Sequence, residues 1–468
     1  MENQNFKPVN GQRERLGSRL GFILLSAGCA IGVGNVWKFP YMVGQYGGGL
    51  FVLLYFVCLI AMGVPVMTME FALGRASQKS PAKLYQSLEK PGQKWHMHGY
   101  AAFLGNFVLM MFYTVVTCWI LQYFVKIAKG DFVGLTSVEM GEQFGKMTAD
   151  PWMQILGVAI VCALGILVCS LGVKKSLERV TKILMVALLI IMVVVAIKGF
   201  FLDGAGEGLK FYLVPNFEIM KEVGIFNIIT GAMSQAFFTL SLGIGSMAIF
   251  GSYLGKDRSL FGEAVNVAVL DTFVAIVSGL IIFPAAFTFS NGKDAVATAG
   301  PPLIFEVLPN IFNNMAGGRF WGALFFIFLA FAALSTVFAV FENIFACAQD
   351  LFGMSRVKTC IIFGIAIFVL SIPCILGFNA WASVKLGKFG IMDLEDLLVS
   401  NILLPVGSCV FLLFCILKKG WGYDNFVEEA NQGQGLKIRP WMKKYFKYVL
   451  PILMAIFSVI TIVTPFVG

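Results

Sequence analysis

Few side chains in this 468-residue sequence are placed to do chemistry, and Asp271 is the most informative of them. It stands in Val267-Ala268-Val269-Leu270-Asp271-Thr272-Phe273-Val274, well inside an apolar run. A carboxylate at that depth in a membrane-length segment is costly, so a functional partner is its default explanation. The alternative is a protonated or helix-capping acid. A second polar feature, Ser335-Thr336, follows Phe331-Ala332-Ala333-Leu334. Its two adjacent hydroxyls either face a ligand or bond back to carbonyls one turn earlier. Two other apolar runs are interrupted by glycine: Ala27-Gly28-Cys29-Ala30-Ile31-Gly32-Val33-Gly34-Asn35 and Phe238-Thr239-Leu240-Ser241-Leu242-Gly243-Ile244-Gly245-Ser246. Glycine is poor in a helix interior and permits unwinding. Unwound backbone at membrane depth is tolerated only where protein or a cavity covers it. Freed carbonyls can there ligate a cation, and half-helix N-termini can face a carboxylate. Glycines also serve close helix packing, but Asn35, Thr239 and Ser241 place polar groups at the breaks.

Other chemistries have little to work with. The two histidines, His96 and His98, share one polar loop. The ten cysteines, Cys58, Cys162, Cys169, Cys374 and Cys409 among them, lie in or beside apolar segments without loop pairing or metal spacing. They read as small packing residues. No nucleophile–base pair or metal set stands out, so an enzyme is not expected, nor is an organic cofactor.

The elements that carry these residues follow from composition. The chain is 58% hydrophobic and 13% charged, whereas soluble domains have about 45–50% apolar and about 25% charged residues. A bilayer crossing needs about 20 apolar residues. Eleven such stretches occur near 17–41, 48–73, 99–128, 153–173, 178–201, 224–252, 260–287, 318–349, 359–378, 392–416 and 446–467. Residues 1–16 are hydrophilic and the first apolar run is too long and glycine-rich for a cleaved signal, so the first helix is expected to be retained. With the N-terminus in the cytoplasm, 24 of the 35 Lys and Arg residues fall on the cytoplasmic side. The positive-inside rule thus favours eleven helices, a cytoplasmic N-terminus and an extracellular C-terminus in the cell membrane. The net charge of +9 is then explained by topology and anionic lipid, with no nucleic-acid partner.

The residues around the breaks resemble the neurotransmitter:sodium symporters. Arg19-Leu20-Gly21-Phe22-Ile23 and Gly28 to Tyr41 are similar to that family's first helix. Further matches are Gly47-Gly48-Gly49, Gly63-Val64-Pro65, Glu70-Phe71-Ala72-Leu73-Gly74-Arg75, Phe237-Phe238-Thr239-Leu240-Ser241-Leu242-Gly243, Ala299-Gly300-Pro301 and Ser400-Asn401-Ile402-Leu403-Leu404-Pro405. The resemblance implies an all-α membrane protein of eleven transmembrane helices. Two inverted five-helix repeats, helices 1–5 (17–201) and 6–10 (224–416), would have helices 1 and 6 unwound mid-membrane. Around them come a cytoplasmic tail (1–16), an extracellular loop (202–223), a cytoplasmic loop (417–445) and helix 11 (446–468).

The resemblance also implies two sodium sites. One joins carbonyls of Gly28, Ile31 and Ala332 to the hydroxyls of Ser335 and Thr336. The other uses Ala30, Asn35, Thr239, Asp271 and the substrate carboxylate. Many relatives carry Asn at position 271, and some of those need chloride; here the fixed charge of Asp271, with Ala275 one turn on, implies chloride independence. Tyr55, Gln235 and Ser278 would surround the region. Gly32, where amine-transporting relatives place an acid, implies a substrate with its own carboxylate. That carboxylate would meet amides near Gly34 and the Tyr113 hydroxyl, and the ammonium would meet carbonyls near Ala30, Phe238 and Thr239, with Ser241. Leu109, Tyr113, Phe238, Ile244, Thr336 and Val340 would form an apolar, roomy side-chain pocket, which favours a hydrophobic, aromatic amino acid.

Lys38 and Asp396 match the external gate pair, with Lys in place of Arg, and Arg13 and Asp350 the internal one. Phe238 and Tyr113 would form the lid. Leu16 replaces a bracing tryptophan, and Ser176 and Val186 replace the Gly and Pro with which relatives unwind helix 5. The implied function is sodium-coupled symport of that amino acid into the cell by alternating access. The partners are the amino acid and lipid, and the chain is a monomer or weak homodimer. A membrane sensor with the same fold is the alternative. A channel is disfavoured, since no filter segment or charged ring is visible.

Overall fold

In a computed structural model, residues 16–290, 292–297 and 302–467 are described. Among them no strand occurs, only three isolated β-bridges. Among the described residues nine helices are long and apolar enough to cross a bilayer, and a tenth span results if the bent pair Arg19–Ala30 and Val33–Tyr46 is counted as one. In lipid a spanning segment must satisfy its backbone internally, so long apolar runs with this composition become helices. The nine are Gly49–Ser77, His96–Lys129, Pro151–Ser170, Val173–Gly199, Leu260–Phe289, Gly318–Phe352, Arg356–Leu376, Ile391–Ile416 and Met442–Pro465.

Their starts carry readable chemistry. Ser18 Oγ accepts the Gly21 N–H at 3.0 Å and opens the first span. Asp150 Oδ1 accepts from Trp152 and Met153, and Pro151 supplies a residue with no N–H to lose. The helices differ in depth within the bundle. The most apolar stretch of Gly318–Phe352 is 78% buried and that of His96–Lys129 72%, against 33% for Val173–Gly199. The first two are central and the last is peripheral.

The stretches between the apolar runs also contain helix, Ser137–Ala149, Ala205–Leu213 and Tyr423–Ala430 among them. The first opens on a reciprocal cap, with Thr136 Oγ1 accepting the Glu139 N–H and Glu139 accepting the Thr136 N–H. A π-helical turn, Val173–Leu177, precedes Glu178 in the fifth span and contains Ser176. Val186 faces outward, away from the core. Residues 1–15, Arg13 included, and the Ala299-Gly300-Pro301 motif lie outside the described residues.

Candidate functional site

The site is built on two interruptions. In the first span, regular helix ends at Ala30, and the chain turns by 63° before resuming at Val33. The Ile31 N–H still reaches Ala27 O at 2.6 Å. The next two donors leave the helix. Gly32 N–H goes to Asn35 Oδ1 at 3.2 Å and Val33 N–H to the Tyr113 hydroxyl at 3.1 Å. The carbonyls of Gly28 and Cys29 therefore lose their helical partners. Glycine is required at 32 by space: an added Cβ would lie 2.6 Å from Tyr113 OH and 3.0 Å from Thr336 Oγ1.

In the sixth stretch, Ile225–Thr239 and Ser246–Gly251 are helical and residues 240–245 are not. The turn uses positive φ at Ser241 (51°), Gly243 (100°) and Gly245 (75°). Serine in that region is uncommon and strained. Its hydroxyl donates to the Cys29 carbonyl at 3.3 Å, tying one break to the other. Glu70, fully buried, accepts the Gly243 N–H at 2.6 Å.

Oxygen atoms gather where the first break meets the eighth span. The Thr336 hydroxyl lies 3.2 Å from Gly28 O, 3.5 Å from Cys29 O, 3.4 Å from Ile31 O and 3.2 Å from Ala332 O. One hydroxyl proton cannot serve four oxygens. Ser335 Oγ donates to Ala332 O at 2.9 Å, the back-bonded arrangement, and Ser241 to Cys29 O. Gly28 O and Ile31 O are left competing for the Thr336 proton. Four carbonyls around the buried Thr336 hydroxyl, with the Ser335 hydroxyl on one of them, suit a hard alkali cation, so the residues present fit sodium.

A second polar cluster sits on the other side of the first break. Asn35 Nδ2 donates to Thr239 Oγ1 at 3.0 Å and to Asp271 Oδ1 at 2.9 Å. Thr239 Oγ1 lies 2.9 Å from Asp271 Oδ2, and the Tyr55 hydroxyl 3.5 Å from it. All four residues are fully buried. Gln235, buried on the sixth span, has neither side-chain polar atom paired, and Ser278 bonds back to the Val274 carbonyl.

Between the clusters lies a small, partly open cavity of about 30 Å³. Ala30, Gly32, Gly34, Leu109, Tyr113 and Phe238 line it, as do Thr239, Ser241, Ile244 and Thr336. Val340 does not line it, although it is fully buried. Cys29, Val399 and Leu404 line it without having been singled out in the sequence. Their side chains are apolar in apolar runs, so no signal marked them.

Of the two gate pairs, only the outer one, Lys38 and Asp396, lies wholly within the described residues. Among the described residues no ion pair within 4 Å joins Lys38 to Asp396. Lys38 Nζ instead stands over the Phe238 ring, 3.8 Å from its centroid, and Asp396 accepts from Ser400 at 2.7 Å. The Lys side chain has a single ammonium and no planar fork, so an aromatic face can hold it as well as a carboxylate. Asp350 accepts the Ser80 N–H at 2.7 Å. Leu16 is half-buried. The start of the first span is held by Glu178, which accepts from Gly17 N–H at 2.7 Å and Ser18 Oγ at 2.9 Å and pairs with Lys182. Arg19 pairs with Glu263 at 2.9 Å.

Known proteins resemble this chain over most of its length. The profile of the "Sodium:neurotransmitter symporter family" matches residues 13–133 and 131–466. A sodium-dependent transporter of Bacillus subtilis (strain 168), YhdH, is 35% identical, the match covering 86% of this chain and 87% of that protein. A sodium-dependent transporter of Haemophilus influenzae is 31% identical over 96% of this chain and 98% of its own length. Among solved structures, the crystal structure of MhsT in complex with L-phenylalanine is 35% identical, with a TM-score of 0.85, covering 96% of this chain and all of that one. These relatives are transporters and not enzymes, and the chain belongs to the sodium:neurotransmitter symporter family of sodium-dependent membrane transporters.

Proposed function

We propose that this chain couples sodium entry to uptake of a hydrophobic, preferentially aromatic, amino acid. The observation that carries the reading is the convergence of the Gly28, Cys29, Ile31 and Ala332 carbonyls on the Thr336 hydroxyl, beside an apolar cavity with polar groups at one end. One sodium ion would sit among these oxygens and those of Ser335. A second would sit against Ala30, Asn35, Thr239 and Asp271, completed by the substrate carboxylate. The N-terminus of Val33–Tyr46 and the Tyr113 hydroxyl face that carboxylate, where partial positive charge and free donors favour an anion. The ammonium meets freed carbonyls at Ala30 and the sixth-span break, with Ser241.

The cavity wall offers Leu109, Phe238, Ile244, Val399 and Leu404 to the side chain and no charge. The likeness to a structure holding L-phenylalanine supports an aromatic guest. Asp271 supplies a fixed negative charge at the second sodium, so transport proceeds without chloride. The broken stretch 225–251 counts as a span, which makes eleven, with the N-terminus in the cytoplasm and the C-terminus outside the cell membrane. The unwound spans belong to two inverted repeats, 17–201 and 224–416. Sodium binding to the first break and the eighth span holds the outward-open state; substrate and the second ion then close Phe238 and Tyr113 over the cavity, and the inner contacts of Asp350 and, beyond the described residues, Arg13 open in turn.

The test is uptake of labelled L-phenylalanine into proteoliposomes, with all twenty amino acids as competitors. Accumulation that needs an inward sodium gradient and is inhibited best by aromatic and large aliphatic residues is expected. Binding without flux would instead make the protein a sensor, and uptake that collapses in gluconate would refute chloride independence.

A further inference from the structure

Ile244 lies in the unwound segment of the sixth span, between Gly243 (φ +100°) and Gly245 (φ +75°). Glycine on both sides leaves this peptide little stiffness of its own. Yet the residue forms part of the cavity wall, so where its backbone rests decides how much room the cavity has. Its carbonyl is gripped from outside the segment by two buried amides. Asn106 Nδ2, on the third span, donates to Ile244 O at 3.0 Å and to Ala102 O at 2.7 Å. Asn343 Nδ2, on the eighth, reaches Ile244 O at 3.4 Å and Asn106 Oδ1 at 3.1 Å. Asn343 Oδ1 in turn receives the Cys347 thiol at 3.6 Å. Asn106 is 1% exposed and Asn343 0%. Neither lines the cavity or belongs to either oxygen cluster. Gly105, beside Asn106, lets the third span come close: an added Cβ there would lie 3.5 Å from Ile244 Cγ2 and 3.0 Å from Leu403 Cδ1.

We infer that Asn106 and Asn343 are positioning residues that set which amino-acid side chains the cavity accepts, by fixing the Ile244 peptide. This inference rests on the cavity being the amino-acid site. An apolar pocket separates ligands differing by one methylene only about ten- to two-hundredfold, and only if its wall does not yield. Asn343 and Asn106 hold each other as well as the carbonyl, so the wall is braced from two central helices at once. Removing either amide leaves the Ile244 carbonyl short of a donor between two glycines, and the wall becomes free to move with the ligand.

Purified wild type, Asn343→Leu and Asn106→Ser are compared by displacement of labelled L-phenylalanine with L-tryptophan, L-leucine and L-alanine at saturating sodium, with sodium activation measured in parallel. The ratio of alanine to phenylalanine inhibition constants is expected to shift at least fivefold toward unity in both variants. Half-activating sodium is expected to stay within twofold. Asn106→Ser keeps a small polar group and carries the test should Asn343→Leu fail to fold. Equal weakening of every amino acid, or unchanged ratios, would overturn the tether alone. A wild-type protein that binds none of the four would overturn the amino-acid reading and the tether with it.

Discussion

Replacing Asp271 with asparagine removes a charge and almost no volume. The carboxylate accepts from Asn35 at 2.9 Å and from Thr239 at 2.9 Å, with Tyr55 at 3.5 Å, so an amide can keep part of that network. What it cannot keep is attraction to a neighbouring cation. At a separation of about 4 Å and an effective dielectric of about 20, one unit charge contributes about 4 kcal/mol. Neutralising Asp271 also relieves the share of its burial cost that the Asn35 and Thr239 hydrogen bonds leave uncompensated, about 1–2.5 kcal/mol, which offsets part of the loss. A net loss of about 1.5–3 kcal/mol remains, or roughly ten- to hundredfold in the sodium concentration for half-maximal transport. The assay is sodium-activated uptake of L-phenylalanine in proteoliposomes, in chloride and in gluconate. Wild type is expected to show the same activation curve in both anions, and Asp271→Asn a curve displaced by that factor in gluconate. An Asp271→Asn protein with wild-type sodium activation in gluconate would refute the assignment of the fixed charge.

Other substitutions probe the remaining parts of the site. Gly32→Ala drives a methyl to within 2.6 Å of the Tyr113 hydroxyl, against rigid neighbours on two helices, and is expected to lower L-phenylalanine affinity at least a hundredfold in equilibrium binding while the protein stays folded. Lys38→Met removes the ammonium over Phe238; at about 0.5–2 kcal/mol for such a contact, dissociation of bound amino acid is expected to quicken about two- to thirtyfold in a filter-chase experiment. Arg75→Lys breaks the buried pair with Glu429 and the bonds to the Gly255 and Arg258 carbonyls, and is expected to lower the midpoint of thermal unfolding in detergent, with wild-type affinity retained in the protein that remains folded.

The helices were legible because lipid leaves little choice: apolar runs above about 20 residues become spans, and the observed bounds at Leu260–Phe289 or Gly318–Phe352 lie within a turn of those read from hydropathy. Asp271, Asn35 and Thr239 were legible for the opposite reason, as polar side chains where none is cheap. Asn106 and Asn343 carry the same mark in apolar helices, although neither is among the candidate residues named from sequence. Cys29, Val399 and Leu404 had no such mark, since a cavity-facing apolar residue and a lipid-facing one look alike in sequence. The helix Ser137–Ala149, between two apolar runs, is marked in sequence by the capping pair Thr136 and Glu139. The partner of Lys38 could not be read at all, because a long flexible cation chooses between Asp396 and the Phe238 face only once the tertiary structure exists.

Sodium held by unwound peptide oxygens is tested most directly by equilibrium binding of radioactive sodium to the purified protein, with and without L-phenylalanine, in wild type and in Thr336→Val. Valine keeps the shape of threonine and deletes the hydroxyl on which the four carbonyls converge. Saturable sodium binding that L-phenylalanine strengthens in wild type, and that falls at least tenfold in affinity at one site in Thr336→Val, is expected. Sodium binding identical in the two proteins would contradict it.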